Sequence, residues 1–289
     1  MKLAVNGQQL ARTYSLPEVL DVLTGFGVDA IELWPANVGP KPGITLSSPE
    51  EAERWEGRDL EATAALLQSR GFSVACVTLG FWAAPVCFAS GGASAFTEAL
   101  RGAVDAAVAL GSKLVNCYST GIPLKLFGQA MRPAAAYAAE RGVVITLENE
   151  AHDESGPPAS VRKIADEIAS PGFGTQYDPC NYYHSYVEPY PAAYEEIQPH
   201  IRYVHLKGGC RYDARQTGVH KGSVMRDSDR DHIGYVPLPE AAFPIEAIVR
   251  RLKKDGYSGF VTLEPHVPPA ALLEFYAIEI PYLRGLLES

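Results

Sequence analysis

The sequence predicts an α/β fold, a closed (β/α)8 barrel that forms a single domain over residues 1–289. Eight short apolar segments alternate with eight helical segments, and no linker, charge block or low-complexity tract interrupts them. Strict alternation of this kind indicates a parallel sheet, and eight repeats favour a closed barrel. The alternative is an open doubly wound sheet. It is disfavoured because Asn6-Gly7-Gln8-Gln9, after the first strand, is not a glycine-rich phosphate turn.

The first half of the chain supplies four strands and four helices. Leu16, Leu20 and Leu23 have the spacing of one helix face. Gly128 and Pro133 predict a kink, or two pieces, in the fourth helix. We predict strands at residues 2–5, 28–33, 72–79 and 113–117, and helices at residues 17–26, 58–70, 93–110 and 124–141.

The second half repeats the pattern. The run Val143-Val144-Ile145-Thr146-Leu147 is typical of a strand buried on both faces. We predict strands at residues 143–147, 173–177, 201–204 and 259–263, and helices at residues 158–169, 190–198, 240–255 and 268–287. A long charged loop is expected from Gly208 to about Tyr235. Loops of this length tend to be lids or binding segments, and a solvated insertion is the alternative.

The composition is that of a water-soluble enzyme, with 47% hydrophobic and 20% charged residues. The formal net charge of -9 argues against nucleic acid or an anionic membrane as a partner, since both select clustered Lys and Arg. The five cysteines are odd in number and form no CxxC pair, which indicates reduced thiols and a cytoplasmic location. No apolar run is long enough to cross a bilayer, and the first residues are predicted as a strand, not a signal peptide.

Four successive strands of the second half each end in a side chain that can bind a metal ion: Glu148, Asp178, His205 and Glu264. The carboxyl ends of barrel strands form the active face, so these side chains should converge there. Three carboxylates and one imidazole suit Mn²⁺, Mg²⁺ or Co²⁺ better than structural zinc. A single strand-end carboxylate is more often a loop cap or an ion-pair partner, but four together favour a metal site.

Other polar and aromatic residues fall near the same face. Glu32, near the end of the second strand, could bind a substrate hydroxyl. Lys207 could reach a substrate oxygen or pair with a site carboxylate. Trp34 and Trp82 follow the second and third strands, where their rings would pack against a bound substrate or cover the top of the barrel.

The order and spacing of these motifs resemble the sugar phosphate isomerase/epimerase family, which consists of xylose isomerase-like TIM barrels. The resemblance covers nearly the whole chain and rests on Leu147-Glu148-Asn149, Tyr177-Asp178-Pro179-Cys180-Asn181, Val204-His205-Leu206-Lys207, Gly256-Tyr257-x-Gly259 and Leu263-Glu264.

The resemblance implies one divalent metal ion, usually Mn²⁺, held by Glu148, Asp178, His205 and Glu264. It also implies that the two glutamates act as acid and base on opposite sides of the substrate, and that Arg211 binds substrate. The family often forms dimers, so the resemblance allows a homodimer.

One position departs from the family pattern. Ketose epimerases of the family usually have a histidine three residues after the aspartate, where this chain has Asn181, and His184 lies further along. Asparagine can donate a hydrogen bond to a sugar hydroxyl but does not titrate near neutrality. The departure argues against a simple ketose 3-epimerase and leaves the metal site intact.

The preferred hypothesis is a metal-dependent isomerase or epimerase of a sugar or keto sugar, which acts through an enediolate with Glu148 and Glu264 as acid and base. A metal-dependent lyase, such as an inosose-type dehydratase, begins with the same proton abstraction and is the alternative. An endonuclease IV-like DNA-repair protein is less favoured. That class needs a three-metal cluster with additional histidine ligands, and strands two and three of this chain do not end in histidine. A sugar-binding protein without catalytic activity is a further alternative.

Overall fold

Eight parallel strands close into a barrel, which confirms the predicted fold class. The computed structural model describes residues 1–212, 224–227 and 231–289. Around the barrel the strands follow the order β1-β11-β7-β6-β5-β4-β3-β2. Their bounds are β1 Lys2–Asn6, β2 Ala30–Leu33, β3 Ser73–Thr78, β4 Leu114–Cys117, β5 Val144–Glu148, β6 Phe173–Tyr177, β7 Ile201–Leu206 and β11 Phe260–Leu263.

The parallel register aligns the carboxyl ends of the strands at one mouth of the barrel. Leu147 of β5 lies opposite Thr175 of β6, and Thr262 of β11 lies opposite His205 of β7. Most apolar side chains of these strands, such as Leu147, are buried. Residues that end or follow neighbouring strands therefore lie side by side at the mouth.

The α-helices surround the barrel. Several begin and end at the expected signals: Ser15 forms a capping box with Glu18, Asp59 accepts a hydrogen bond from the Ala62 N–H, and Gly71 ends its helix with a φ of 71°. No helix in the described ranges is both long and apolar enough to cross a membrane. The helices are α1 Gln8–Ala11, α2 Leu16–Gly25, α3 Pro49–Glu53, α4 Leu60–Arg70, α5 Ala83–Ala109, α6 Leu124–Glu140, α7 Pro158–Ile168, α8 Pro179–His184, α9 Tyr194–Ile197, α10 Ile245–Lys254 and α11 Pro269–Glu288.

Several helices differ from their predictions. The helix predicted at residues 190–198 is a π-helical turn, Pro189–Ala193, followed by the short α9. Helix α5 begins ten residues earlier than the expected residue 93. It is two helical pieces joined at Gly91 and Gly92, and Gly92 has a φ of 66°, which glycine adopts without strain. Helix α6 runs through Gly128 and Pro133 as one element, so the alternative of two pieces is wrong.

The segment expected as a long loop contains a small antiparallel sheet of the order β8-β10-β9. Its strands are β8 Gly208–Tyr212, β9 Val224–Asp227 and β10 Asp231–Val236. A Cβ at Gly208 would lie 2.2 Å from the Val236 carbonyl oxygen, and a Cβ at Gly209 would lie 2.6 Å from the Cys180 Sγ. The two glycines therefore allow the sheet to leave the barrel directly after β7.

Candidate active site

The four predicted metal-binding side chains meet at the mouth of the barrel. Glu148 ends β5, His205 lies in β7, and Asp178 and Glu264 directly follow β6 and β11. All four are buried, and one ligand atom from each lies within 4.8 Å of the others. The set is three carboxylates and one imidazole, so these residues could hold a metal ion.

The ring of His205 is oriented with one nitrogen toward this cluster. Its Nε2 lies 2.5 Å from the Glu32 Oε2, and its Nδ1 lies 3.3 Å from the Glu264 Oε2 and 3.6 Å from the Glu148 Oε1. Among the described residues this buried Nδ1 has no hydrogen-bond partner of good geometry. A buried ring nitrogen that faces carboxylates fits a metal ligand.

The charges of the cluster also favour a cation. Burial alone would lower the pKa of His205, but Glu32, Glu264 and Glu148 raise it well above its usual range. The negative field that holds a proton on His205 would equally hold a metal ion, and metal binding displaces such a proton.

Lys207 supplies positive charge next to the carboxylates. Its Nζ donates to the Asp178 Oδ2 at 2.5 Å and to the Glu264 Oε2 at 2.7 Å, and lies 4.0 Å from the Glu148 Oε1. Burial alone would raise the pKa of Glu264, but Lys207 and His205 lower it well below its usual range. The Lys207 ammonium is one positive charge among four buried carboxylates, including Glu32. The remaining negative charge could be balanced by a divalent cation.

Amide side chains fix the carboxylate of Glu148. The Asn116 Nδ2 donates to its Oε2 at 3.1 Å. The Asn181 Nδ2 lies 3.2 Å from its Oε1 and donates to the Asn149 carbonyl oxygen at 2.9 Å. Asn181, predicted as a substrate contact, is therefore buried and hydrogen-bonded within the site. Burial and the charge of Glu148 raise the pKa of the neighbouring Glu150.

Glu32 lies beneath the cluster and is 0% exposed. Its carboxylate receives hydrogen bonds from protein groups on several strands, and no part of it faces solvent. The His205 ring lies between Glu32, which the sequence predicts as a substrate contact, and the Glu264 carboxylate.

Comparisons with known proteins agree with the geometry. The sequence profile described as xylose isomerase-like TIM barrel matches residues 20–280. The chain belongs to this family. No curated protein matches the sequence significantly.

Solved structures of this xylose isomerase-like type have the same fold. A Mycobacterium smegmatis protein in complex with magnesium has a TM-score of 0.71 and 15% identity, with 99% of this chain and 97% of that chain covered. The probable 3-DHS dehydratase AsbF of Bacillus anthracis has a TM-score of 0.70 and 14% identity, with 98% and 99% covered. A D-allulose 3-epimerase from a Methylomonas species in complex with D-allulose has a TM-score of 0.66 and 18% identity, with 99% and 96% covered.

An aromatic row runs outward from the site in this xylose isomerase-like barrel. Trp34 is buried and stacks on Tyr118 with ring centroids 5.8 Å apart. Phe81 lies 5.1 Å from Tyr118 and 5.2 Å from Trp82. Trp82 is 56% exposed. Of the two predicted tryptophans, Trp34 is therefore packed in the interior, whereas Trp82 is more than half exposed.

Arg211 and His184 lie around helix α8. The Arg211 Nη2 donates to the Tyr183 carbonyl oxygen at 2.7 Å, and its guanidinium lies 3.6 Å from the ring centroid of Tyr186. His184 is buried and meets the ring of His152 edge-on at 4.8 Å.

Sequence reasoning missed several polar residues of the site. Asn6 ends β1, Thr78 ends β3 and Asn116 lies one residue before the end of β4. These strand-end positions are the same signal that singled out Glu148. Tyr118 and Tyr203 gave no such signal, because a tyrosine in or after a strand usually belongs to the core.

Proposed function

We propose that the chain is an enzyme, a divalent-metal-dependent isomerase or epimerase that acts on a sugar or keto sugar. The observation that carries this proposal is the buried cluster of Glu148, Asp178, His205 and Glu264, in which both predicted acid–base glutamates lie. The structural similarity to a D-allulose 3-epimerase supports the substrate class. The similarity to a barrel in complex with magnesium supports a divalent ion.

The same four side chains would hold the ion, for which Mn²⁺ is the first choice and Mg²⁺ and Co²⁺ are alternatives. When bound, the ion supplies Lewis-acid stabilisation for negative charge that develops on the carbonyl and hydroxyl oxygens of the substrate.

The residues of the chain move the proton. One of Glu148 and Glu264 removes the proton α to the substrate carbonyl, and the other returns it on the opposite face or at the neighbouring carbon. The Asn116 and Asn181 amides hold Glu148 in place. The Lys207 ammonium holds Glu264 and Asp178 together, which keeps both carboxylates directed at the same point.

Substrate specificity would come from the surroundings of this point. Arg211 is a fixed-charge fork that can bind an oxygen-rich part of the substrate. Trp82 offers an exposed ring face for a sugar ring or an aglycone. Asn181, His184, Lys207, Glu32 and Trp34 shape the site from within.

A metal-dependent dehydratase is the second candidate. The observation that favours it is Asn181, which replaces the histidine expected of ketose epimerases, together with the similarity to a probable 3-DHS dehydratase over nearly both chains. If a β-hydroxyl leaves after proton abstraction, the same cluster performs an elimination instead of an epimerisation. Product analysis separates the two candidates, because only the dehydratase releases water.

The test starts with the ion. Isothermal titration of chelator-treated protein with Mn²⁺ should give a one-site curve, and the ion should raise the melting temperature because it binds the native state. Absence of both effects for Mn²⁺, Mg²⁺ and Co²⁺ would remove the basis of the proposal.

The chemistry is then tested by NMR in D₂O with a panel of ketoses and keto sugars. The loaded protein should exchange the α-hydrogen of one of them. Glu148→Gln and Glu264→Gln should retain the ion and each lose turnover by about 10²–10⁴-fold. Near-normal turnover in both variants would refute the assignment of the two glutamates.

A further inference from the structure

Glu32 holds the His205 ring by its Nε2 and leaves Nδ1 toward the cluster. We propose that Glu32 is a positioning residue for the metal site, which fixes His205 as an Nδ1 ligand, and is not a substrate contact. This inference rests on the metal binding of the proposed function.

The first argument is that the Glu32 carboxylate has no capacity left for a ligand. Its Oε1 accepts from the Asn6 Nδ2 at 3.0 Å, the Trp34 Nε1 at 2.9 Å and the Thr78 Oγ1 at 2.8 Å. Its Oε2 accepts from the Tyr203 hydroxyl at 2.7 Å and faces the His205 Nε2 at 2.5 Å. A carboxylate has about four lone-pair sites, so these five partners exhaust it.

The second argument concerns the two ring nitrogens. A carboxylate only accepts hydrogen bonds, so the His205 Nε2 must carry the proton of the contact with Glu32. In a neutral ring Nδ1 then carries the lone pair, and Nδ1 is the nitrogen that faces Glu264 and Glu148. The contact with Glu32 thus determines which nitrogen can bind an ion.

The third argument is the extent of the network around Glu32. The Asn6 Nδ2 also donates to the Glu264 Oε1 at 3.0 Å, so one amide links Glu32 to a second ligand of the cluster. The Tyr203 hydroxyl lies 2.6 Å from the Thr262 Oγ1. Asn6 and Thr78 come from β1 and β3, which supply no metal ligand, whereas Tyr203 and His205 come from β7. Strands that supply no metal ligand thereby support those that do.

Glu32→Gln is the informative change because it keeps the shape of the side chain. It replaces two acceptor oxygens with one acceptor oxygen and one NH₂ donor. If the amide oxygen faces Asn6, Trp34 and Thr78, the NH₂ group faces His205 and favours a proton on Nδ1, where it blocks the ion. If the amide is turned round, the NH₂ group meets three donors. In either orientation of the amide, His205 is no longer held with its Nδ1 lone pair toward the cluster. Residues that orient a metal ligand in this way typically contribute about 10–100-fold in metal affinity.

The experiment measures Mn²⁺ binding by isothermal titration in the full chain. Glu32→Gln should bind Mn²⁺ about 10–100-fold more weakly than the wild type. The matched control is Glu279→Gln, which replaces another fully buried glutamate in α11, outside the site. It should leave the dissociation constant within about twofold. Unchanged affinity in Glu32→Gln, or an equal loss in both variants, would overturn the inference.

A measurement on the wild type covers the case in which Glu32→Gln does not fold. In protein loaded with ¹¹³Cd²⁺ and labelled with ¹⁵N-histidine, the ion should couple to the His205 Nδ1, with the proton on Nε2. Coupling to Nε2 would refute the role of Glu32 directly. If the wild type binds none of Mn²⁺, Mg²⁺, Co²⁺ and Cd²⁺, the proposed function fails. If it binds Mn²⁺ and Glu32→Gln binds equally well, only the role of Glu32 fails.

Discussion

Replacing Glu279 by glutamine should remove a large pH dependence from the stability of the fold. Glu279 lies in α11 and is 0% exposed. Its Oε1 accepts the Leu238 N–H at 3.1 Å, and its Oε2 has no hydrogen-bond partner among the described residues. Burial raises the pKa of Glu279 from 4.5 to about 8, against a small opposing effect of the Leu238 N–H.

The sign of the effect follows from proton linkage. Below pH 4.5 the carboxyl is protonated in both the folded and the unfolded chain. Between pH 4.5 and about 8 the unfolded chain loses this proton while the folded chain keeps it, so the free energy of unfolding falls as the pH rises. Above the pKa of Glu279 in the folded chain, both states are ionised and the free energy of unfolding stops falling.

The size of the loss follows from the same interval. Each pH unit corresponds to about 1.4 kcal/mol. The interval from 4.5 to about 8 therefore costs on the order of 4 to 5 kcal/mol, and about 3 kcal/mol of this is already lost at pH 7. A neutral glutamine keeps the acceptor for the Leu238 N–H and never ionises, so Glu279→Gln does not incur this loss.

The assay compares urea unfolding of the wild type and Glu279→Gln between pH 5 and pH 8.5 in excess chelator. The ionisable groups of the metal cluster contribute equally to both proteins, so they cancel in the difference. The difference should be less than about 1 kcal/mol at pH 5 and should grow in favour of the variant by about 1.4 kcal/mol per pH unit until it levels off near the folded pKa. A difference that stays constant over this range would show that Glu279 does not carry a raised pKa.

Two further changes test other features of the structure. Arg211→Lys should raise the KM for substrate and leave the Mn²⁺ affinity unchanged, because a lysine cannot reproduce the guanidinium fork; loss of metal in this variant would place Arg211 in the ion site. Gly172→Ala should destabilise the fold by at least about 1–3 kcal/mol, because its Cβ would lie 2.1 Å from the Ala135 carbonyl oxygen. The control Gly285→Ala meets nothing within 4 Å and should be neutral or stabilising in thermal unfolding, and equal effects of both changes would contradict the packing argument.

The barrel and its cluster could be predicted because each rests on a local signal. A strand buried on both faces needs an apolar run, and a polar residue at its end stands out, as Glu148 does after Leu147. Parallel strands then bring such residues to one mouth without further information. The four positions of the cluster therefore followed from strand ends alone.

The sheet of β8, β9 and β10 could not be predicted in this way. Its strands are short, and Gly208 and Gly209 at its start resemble a turn in sequence. These glycines are required by tertiary packing, since they allow the backbone to approach Val236 and Cys180 closely. Helix α8 was missed although its signals were present: Asp178 accepts from the Asn181 N–H, and Pro179 occupies the first turn. Asp178 was interpreted as a ligand only, whereas one residue can both cap a helix and face the cluster.

Glu32 illustrates why the role of a residue needs the whole fold. Its position at a strand end predicts a residue of the same kind as Glu148 and Glu264, although all three are buried. The difference between them is set by neighbours far apart in sequence. Asn6, Tyr203 and His205 surround Glu32, whereas Glu264 lies beside His205 and Lys207 and its second oxygen accepts from Asn6. Buried carboxylates that lack solvent must be stabilised by donors or by cations. In this barrel side-chain donors surround Glu32. The carboxylates of Glu148, Asp178 and Glu264 also accept hydrogen bonds, but they face one another and the Lys207 ammonium, and this grouping of negative charge distinguishes them from Glu32.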